Sequence, residues 1–233
     1  MSSSQVYLKM DWVDHKASEY ACKYYHYSHR IPKSKQNFIG AWEDKKFIGV
    51  VIFGYGACNN LLKPYGLTQW EGCELTRVAL KGYKTPVTRI ISIALKMLKR
   101  KNPGLRLIVS FADPNHGHHG GIYQGGNWIY TGKSASSVQY RDRTGRMWHP
   151  RNVGPDTNKP SICITPSSCV RIVSPGKHRY LMALDKEMKE KIIKLSQPYL
   201  KCVDSVSGSI SPVQGEDGGS KPTSTHHTFG GID

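Results

Sequence analysis

The stretch that decides the fold runs from Thr85 to Asp113 and reads TPVTRIISIALKMLKRKNPGLRLIVSFAD. Its first half predicts an amphipathic helix, in which Thr85 caps the N-terminus and Pro86 takes the first helical position. The apolar residues recur at the spacing of one helix face: Val87, Ile90, Ile91, Ala94, Leu95 and Leu98. A Pro-Gly pair ends the helix, and the apolar run 105–112 then predicts a buried strand with Asp113 at its carboxyl end.

The segments around this core alternate between helical and strand patterns. Asp14 can cap a helix over residues 15–28, and a polar turn at 43–46 joins two apolar runs that predict a hairpin. The remaining predicted elements are strands at 73–80, 128–130, 138–141, 162–173 and 179–181, a short helix at 122–126 and a helix at 185–195. This order predicts an α/β fold with a mixed, mostly antiparallel sheet and helices on both faces.

Basic residues dominate the chain, which has 233 residues, 33 Lys and Arg, and 17 Asp and Glu. The excess is concentrated in residues 1–202, where 32 basic residues outnumber 13 acidic ones. We therefore divide the chain into a folded domain at 1–202 and a Ser-, Gly- and Pro-rich tail at 203–233, which we expect to be disordered because it has few large apolar residues. The basic charge of the folded domain favours a nucleic-acid partner. The alternative is a basic protein of the ribosomal type or one that binds a membrane surface.

The cysteines and the hydropathy pattern exclude several classes of protein. None of the six cysteines forms a Cys-x-x-Cys pair, so neither a zinc ribbon nor a redox dithiol is predicted. The first residues carry no basic segment followed by an apolar run, as a secretory signal would, and no apolar stretch approaches the length of a membrane span. We expect reduced thiols, a cytoplasmic location and no membrane partner.

Three groups of residues could carry chemistry, and the first follows the first predicted helix at residues 24–29. On a helix, His26 and His29 would share a face and could bind one metal ion, and the tyrosines among them could stack on a base. The alternative is structural, with the tyrosines packed and the histidines hydrogen-bonded.

The second group is Asp113 and the Gly- and His-rich loop behind it. A carboxylate at the carboxyl end of a central strand suits a base, a metal ligand or a substrate anchor. His116, His118 and His119 follow closely, and imidazoles beside a carboxylate favour iron or zinc. The alternatives are an Asx turn before Pro114 and a mobile surface loop.

The third group combines basic and aromatic side chains and predicts a DNA-binding surface: Arg141, Arg143, Arg146, Trp148 and Arg151. The alternative is a solvated loop. The start of the helix at 85–100 offers a weaker anion site, where free N–H groups would bind a cofactor phosphate near Thr85, Thr88 and Arg89.

Several motifs, in order, resemble the Mom family of phage DNA-modification enzymes over residues 20–200. The motifs are HYSH at 26–29, GVVIFG at 49–54, ELTRVAL at 74–80, SFAD at 110–113, IYQ at 122–124 and NWIY at 127–130. The resemblance implies a GNAT-like acyltransferase fold. It also implies a transferase that places a carbamoylmethyl group on the exocyclic amine of adenine in DNA, so that host restriction enzymes are blocked.

The resemblance further implies roles for particular residues. The catalytic residues are expected to be Arg77, Ser110, Asp113 and Tyr123. Arg77 would anchor the donor or a phosphate, and Tyr123 would protonate a leaving group. The family is thought to use iron, and its expected ligands are His26, Tyr27 and Asp113. The expected partners are double-stranded DNA and a small-molecule donor in the host bacterial cytoplasm, with a homodimer left open.

One departure from the implied fold family concerns the turn KGYKTP at 81–86. GNAT acyltransferases hold the diphosphate of coenzyme A on a Gly-rich loop at this place, whereas this turn has one glycine and offers a weaker backbone cradle. The donor is therefore acetyl-CoA or another acyl donor. Two other functions stay open: an acetyltransferase of the same fold that acts on a small molecule or RNA, and a non-catalytic DNA-binding protein.

Overall fold

The computed structural model describes residues 6–56, 58, 60–148, 150–154 and 165–199, so the predicted tail at 203–233 lies outside the described residues. The helices are α1 (His15–Tyr25), α2 (Val87–Lys101), α3 (Gly121–Gln124) and α4 (Lys186–Ile193). The strands are β1 (Leu8–Trp12), β2 (Gln36–Glu43), β3 (Lys46–Gly54), β4 (Gly72–Leu80), β5 (Leu107–Ala112), β6 (Ile129–Lys133), β7 (Ser137–Asp142), β8 (Met147–Trp148), β9 (Cys169–Ser174) and β10 (His178–Ala183). In the described part of the chain, no helix has the length and apolar character needed to cross a bilayer.

Seven strands form one sheet in the order β1-β2-β3-β4-β5-β10-β6. Every neighbouring pair is antiparallel except β4 and β5, which run parallel where Gly72–Leu75 lies against Leu107–Ser110. Beyond this short ladder, β4 continues along β3 and β5 continues along β10. The two central strands therefore part after Leu75 and Ser110 and leave a notch in the sheet.

Helices cover both faces of this sheet. Adjacent residues of a strand point to opposite faces, and Ile108 of β5 joins the hydrophobic cluster of α2 whereas Leu107 joins that of α4. Similarly, Val51 of β3 packs in the cluster of α2 and Val50 in that of α1. Helix α2 thus lies on one face and helices α1 and α4 on the other, which confirms the predicted mixed, mostly antiparallel α/β fold.

Helix α1 ends at Tyr25, earlier than the sequence pattern predicts. His26 is extended, with φ −119° and ψ 137°, and His29 has a positive φ of 50°. The prediction that His26 and His29 share a helix face is therefore wrong. The physical reason is a local cap, because the His29 ring lies 2.8 Å from the carbonyl oxygen of Lys23 and satisfies the end of the helix.

Helix α2 begins at Val87, with Pro86 in the capping position and no side chain that caps it. The predicted Thr85 cap is wrong, because Thr85 precedes the capping position and is hydrogen-bonded to Glu43 rather than to the helix. The Glu43 carboxylate accepts a hydrogen bond from the N–H of Thr85 at 2.6 Å.

A second, three-stranded sheet forms in the order β8-β7-β9. Its strand at 137–142 matches the one expected near 138–141. Of the strand expected near 162–173, the part at 169–174 is present, Pro166–Ser168 forms a 3₁₀ turn instead, and 162–164 lie outside the described residues. We call residues 137–148 and 169–174 the basic arm, because they carry several of the arginines predicted to bind DNA.

Candidate active site

A cleft of about 980 Å³ opens where β4 and β5 part. Its walls come from distant parts of the chain: the end of α1, the turn before α2, the loop after β5 and helix α3. Ser134 and Lys177 also line it. Open α/β sheets bind ligands at the carboxyl ends of parallel strands, so the cleft lies where the position of Asp113 predicts a site.

Tyr123 and Ser110 form a hydrogen-bonded pair beside the parting strands. Their hydroxyl oxygens are 2.8 Å apart, and the Ser110 hydroxyl also lies 2.9 Å from the carbonyl oxygen of Leu75. Tyr123 lines the cleft but is only 7% exposed. Burial raises the pKa of Tyr123 to about 12, although the hydrogen bond from Ser110 acts in the opposite direction. Tyr123 therefore keeps its proton at neutral pH, as a general acid must.

Arg77 projects from β4 into the lining of the cleft. Its Nη1 donates to the carbonyl oxygen of Thr76 at 2.6 Å. Its Nε is buried and has no hydrogen-bond partner among the residues that the structure describes. Because an unpaired buried donor costs about 1–3 kcal/mol, this N–H is a candidate contact for an oxygen of a bound ligand.

His26 and Tyr27 line the cleft next to Arg77. The N–H of Ser28 donates to His26 Nδ1 at 3.1 Å, so the neutral ring carries its hydrogen on Nε2. Burial, and then the charge of Arg77, lower the pKa of His26 to about 4, which keeps the ring neutral at physiological pH. The Tyr27 ring packs between His26 and His116, with centroid separations of 4.2 and 4.3 Å.

Asp113 is an ionised carboxylate in the cleft. Its Oδ2 lies 3.0 Å from the Lys177 ammonium, and its Oδ1 accepts a hydrogen bond from the N–H of Asn115 at 3.0 Å. Burial alone would raise the pKa of Asp113, but Lys177 and the Asn115 N–H outweigh it and hold the pKa below its usual range. Asp113 therefore lines the cleft, as predicted, and also forms the Asx turn that was the alternative.

Comparison with known protein families shows to which family this chain is related. A family model described as the Mom protein family matches residues 7–201. The chain belongs to the Mom family. All the residues that line the cleft lie within the matched segment.

A curated relative of this Mom-family chain is the methylcarbamoylase mom of Escherichia phage Mu. The two are 30% identical over 128 residues, which are 53% of this chain and 52% of the relative, so the match spans about half the length of the relative. An acetyltransferase candidate from Acinetobacter baylyi has a TM-score of 0.46 at 13% identity, with 79% of this chain and 96% of that one covered. A spermidine N-acetyltransferase from Vibrio cholerae has a TM-score of 0.41 at 8% identity, with 76% and 95% covered.

The structure brings the iron ligands expected in this Mom-family chain, His26, Tyr27 and Asp113, to one cleft, but it shows no arrangement that identifies a metal site. A ligating histidine usually donates its second ring N–H to an acceptor, whereas Nδ1 of His26 itself accepts a hydrogen bond. Each oxygen of Asp113 already has one partner, and Tyr27 makes ring contacts with His26 and His116. Across the described ranges, no three His, Cys, Asp or Glu side chains are grouped to hold a metal. The structure therefore gives no support to the iron prediction.

The residues predicted to bind a cofactor lie apart from the cleft. Thr85 is buried against Glu43, Thr88 lines a separate groove of about 650 Å³ along α2, and Arg89 is exposed. The same turn instead contributes Tyr83 and Val87 to the cleft. The cofactor role of the three predicted residues stays a prediction without geometric support.

The basic arm holds four of the five residues predicted to bind DNA. Arg141, Arg143 and Arg146 are exposed, and the Arg146 guanidinium lies 4.0 Å from the centre of the Trp148 ring. The Trp148 indole N–H donates to Asp142 at 2.7 Å, which fixes the ring within the turn of the arm. Cationic and aromatic groups are thus presented together, as contacts with phosphates and bases require.

Sequence reasoning missed one basic residue of the arm. The strand register aligns Trp148, Tyr140 and Arg171 in one row across β8, β7 and β9, and Arg171 is exposed. The alternation of Val170, Arg171 and Ile172 is the signal that could have indicated it. Two aromatic side chains and a cationic one are therefore neighbours across the three strands.

The root of the arm is also the rim of the cleft. The N–H of Ser134 donates to the Lys177 carbonyl oxygen at 2.8 Å, and the N–H of Lys177 donates to the Ser134 hydroxyl at 2.9 Å. Lys177 then contacts Asp113, so sequence reasoning also missed a charged residue of the site. Arg151, also predicted to bind DNA, belongs to a short 3₁₀ turn at Pro150–Asn152, and its side chain lies outside the described part of the structure.

Proposed function

We propose that this chain is a phage-type DNA adenine-modification enzyme, a transferase that adds a carbamoylmethyl group to the exocyclic amine of adenine and so protects DNA from restriction. Membership of the Mom family supports DNA modification, and the methylcarbamoylase relative supports the group transferred. The observation that carries the proposal is the cleft, where Arg77, Asp113 and Tyr123 from three separate elements line one space.

The proposed reaction joins the adenine amine nitrogen to the methylene carbon of the transferred group and breaks the bond from that carbon to the leaving group. One proton leaves the amine and one joins the leaving group. Asp113 accepts the first proton, and Tyr123 donates the second. The buried Nε of Arg77 donates to an oxygen of the donor, and Ser110 holds the Tyr123 hydroxyl in position.

The donor is a small molecule, and acetyl-CoA or another acyl donor is the class expected from the fold. The displacement described above instead requires a donor that carries its leaving group on the methylene carbon of an acetamide unit. Plain acetyl transfer would join the adenine amine to a carbonyl carbon. A carbamoylmethyl group is instead joined through its methylene carbon and ends in an amide. The donor, or a further step, must therefore supply the methylene link.

The DNA partner is proposed to lie along the basic arm. The target amine is stacked inside a duplex, so the base must be flipped into the cleft, which costs a few kcal/mol. Lys177 and Ser134 connect the arm to the cleft rim. A duplex held by Arg141, Arg143 and Arg171 thus lies next to the opening that receives the base.

Expression of the chain in bacteria is expected to add a carbamoylmethyl group to a fraction of DNA adenines. The measurement is mass spectrometry of nucleosides from the cellular DNA, with cells grown in iron-replete medium and an empty vector as control. Unmodified adenine alone would refute the proposal, and an added acetyl mass would favour the acetyltransferase alternative.

Purified protein assayed in the presence of a chelator tests iron separately, because full activity of the metal-free protein would rule out a role for iron.

Removal of two arginines from the arm is expected to weaken duplex DNA binding and flatten its salt dependence. Log affinity falls with log salt concentration, and each lost phosphate contact reduces the magnitude of that negative slope by about 0.9. Arg141→Ala with Arg143→Ala should therefore reduce it by about 2. Electrophoretic mobility shift at several salt concentrations measures this. The matched control, Lys186→Ala with Lys189→Ala on α4, removes the same charge, and an equal loss there would contradict a specific role for the arm.

A further inference from the structure

Glu43, the last residue of β2, is buried against the turn that precedes α2. It is 6% exposed. Its carboxylate accepts hydrogen bonds from the N–H of Lys84 at 2.8 Å and from the N–H of Thr85 at 2.6 Å. The Thr85 side chain also hydrogen-bonds to it. A carboxylate from a distant strand therefore occupies two backbone N–H donors of this turn.

The carboxylate remains ionised in this position. Burial alone would raise the pKa of Glu43, but the hydrogen bonds from Thr85 and Lys84 outweigh it and hold the pKa below its usual range. The N-terminus of α2 adds the partial positive charge of the helix dipole. The surroundings of Glu43 are thus those of an anion-binding site, with the anion supplied by the protein itself.

Glu43 closes the last part of the turn, directly before α2, to an external anion. The N–H groups of Lys84 and Thr85 are engaged by Glu43, and Pro86, which follows them, has no N–H. Three successive backbone positions are therefore closed to a ligand phosphate. The next residue, Val87, lines the cleft, as does Tyr83 on the other side of the closed positions.

We propose that Glu43 is a built-in anion that takes the place of a donor diphosphate at the start of α2, so that the cleft binds its donor without a diphosphate contact there. The inference rests on the proposed function only in requiring a small-molecule donor. The donor is held by its reacting end, and a nucleotide diphosphate, where the donor has one, stays outside the turn. Glu43 is a positioning residue, because it holds the segment that brings Tyr83 and Val87 to the cleft.

The test is a titration of isotope-labelled full-length protein with inorganic diphosphate and, separately, with coenzyme A, followed by amide NMR. In the wild-type protein, the Lys84 and Thr85 resonances are expected not to move. In Glu43→Ala they are expected to shift saturably with diphosphate, because their N–H groups become free. Glu43→Gln keeps one acceptor oxygen without the charge, and it should show a smaller gain if the alanine variant does not fold.

The matched control is Glu71→Ala, which removes a carboxylate that accepts hydrogen bonds from Thr68 in another turn. It should leave the Lys84 and Thr85 resonances unmoved by diphosphate. Saturable shifts of these two amides in the wild-type protein would overturn the inference, as would their absence in the folded Glu43 variants. Either result can coexist with modified adenine in the nucleoside assay, so the inference and the proposed function fail separately.

Discussion

Replacement of Tyr123 by phenylalanine is expected to leave a folded protein that still binds DNA but modifies adenine about 10²–10⁴ times more slowly, the usual contribution of a general acid. The ring stays in place, because it packs against Trp128 and Tyr180 through contacts that do not need the hydroxyl. Only the Tyr123 hydroxyl and the hydrogen bond that links it with Ser110 are lost. The measurements are single-turnover modification of duplex DNA, thermal unfolding and DNA affinity.

Two further variants separate acid catalysis from support of the site. Tyr130→Phe removes another buried hydroxyl, which contacts His178 at 3.0 Å and does not line the cleft, and it should keep full activity. Ser110→Ala leaves the Tyr123 proton donor present but less well held, so a smaller loss is expected. Wild-type activity of Tyr123→Phe would refute the general-acid role and leave the DNA-modification proposal standing.

Replacement of Arg77 by lysine is expected to lower kcat/KM by about 10- to 100-fold. Lysine keeps the positive charge but cannot place an N–H at the buried Nε position. The loss of one charge-assisted hydrogen bond is worth about 1.5–3 kcal/mol. If Arg77 contacts the donor in both the ground state and the transition state, KM for the donor rises and kcat changes little.

The control for Arg77 is Arg179→Lys on β10. The Arg179 guanidinium donates to the Thr131 side chain at 2.9 Å and also contacts its carbonyl oxygen. Like Arg77, it is half-buried in the sheet, but it does not line the cleft. Equal losses of kcat/KM in both variants would mean that Arg77 acts through the stability of the sheet, and unchanged kinetics in Arg77→Lys would remove it from the site.

Local patterns predicted most of the helices and strands. The apolar stripe of α2 and the apolar run of β5 could be read from neighbouring residues, and both elements are present. Strand β1 escaped prediction although Leu8, Met10 and Trp12 alternate with polar residues. The end of α1 was predicted too late, because the cap that ends it comes from the side chain of His29.

The candidate site could be predicted only in part. The motifs indicated Arg77, Asp113 and Tyr123, and the structure brings all three to one cleft. The same motifs indicated iron ligands, which stay a prediction, since the described residues contain no group of three His, Cys, Asp or Glu that could hold a metal. Lys177 was not predicted, because its contact with Asp113 depends on how β10 enters the sheet beside β5.

The sequence by itself determined the basic charge of the chain, the helix and strand on which the sheet is built, and its place in the Mom family. These properties depend on composition and on residues a few positions apart. Only the tertiary structure decided which polar groups meet. Ser110 and Tyr123 are 13 positions apart, and Glu43 and Thr85 are 42 apart. Such pairs depend on how the strands and helices assemble, which brings residues that are distant in the chain into contact.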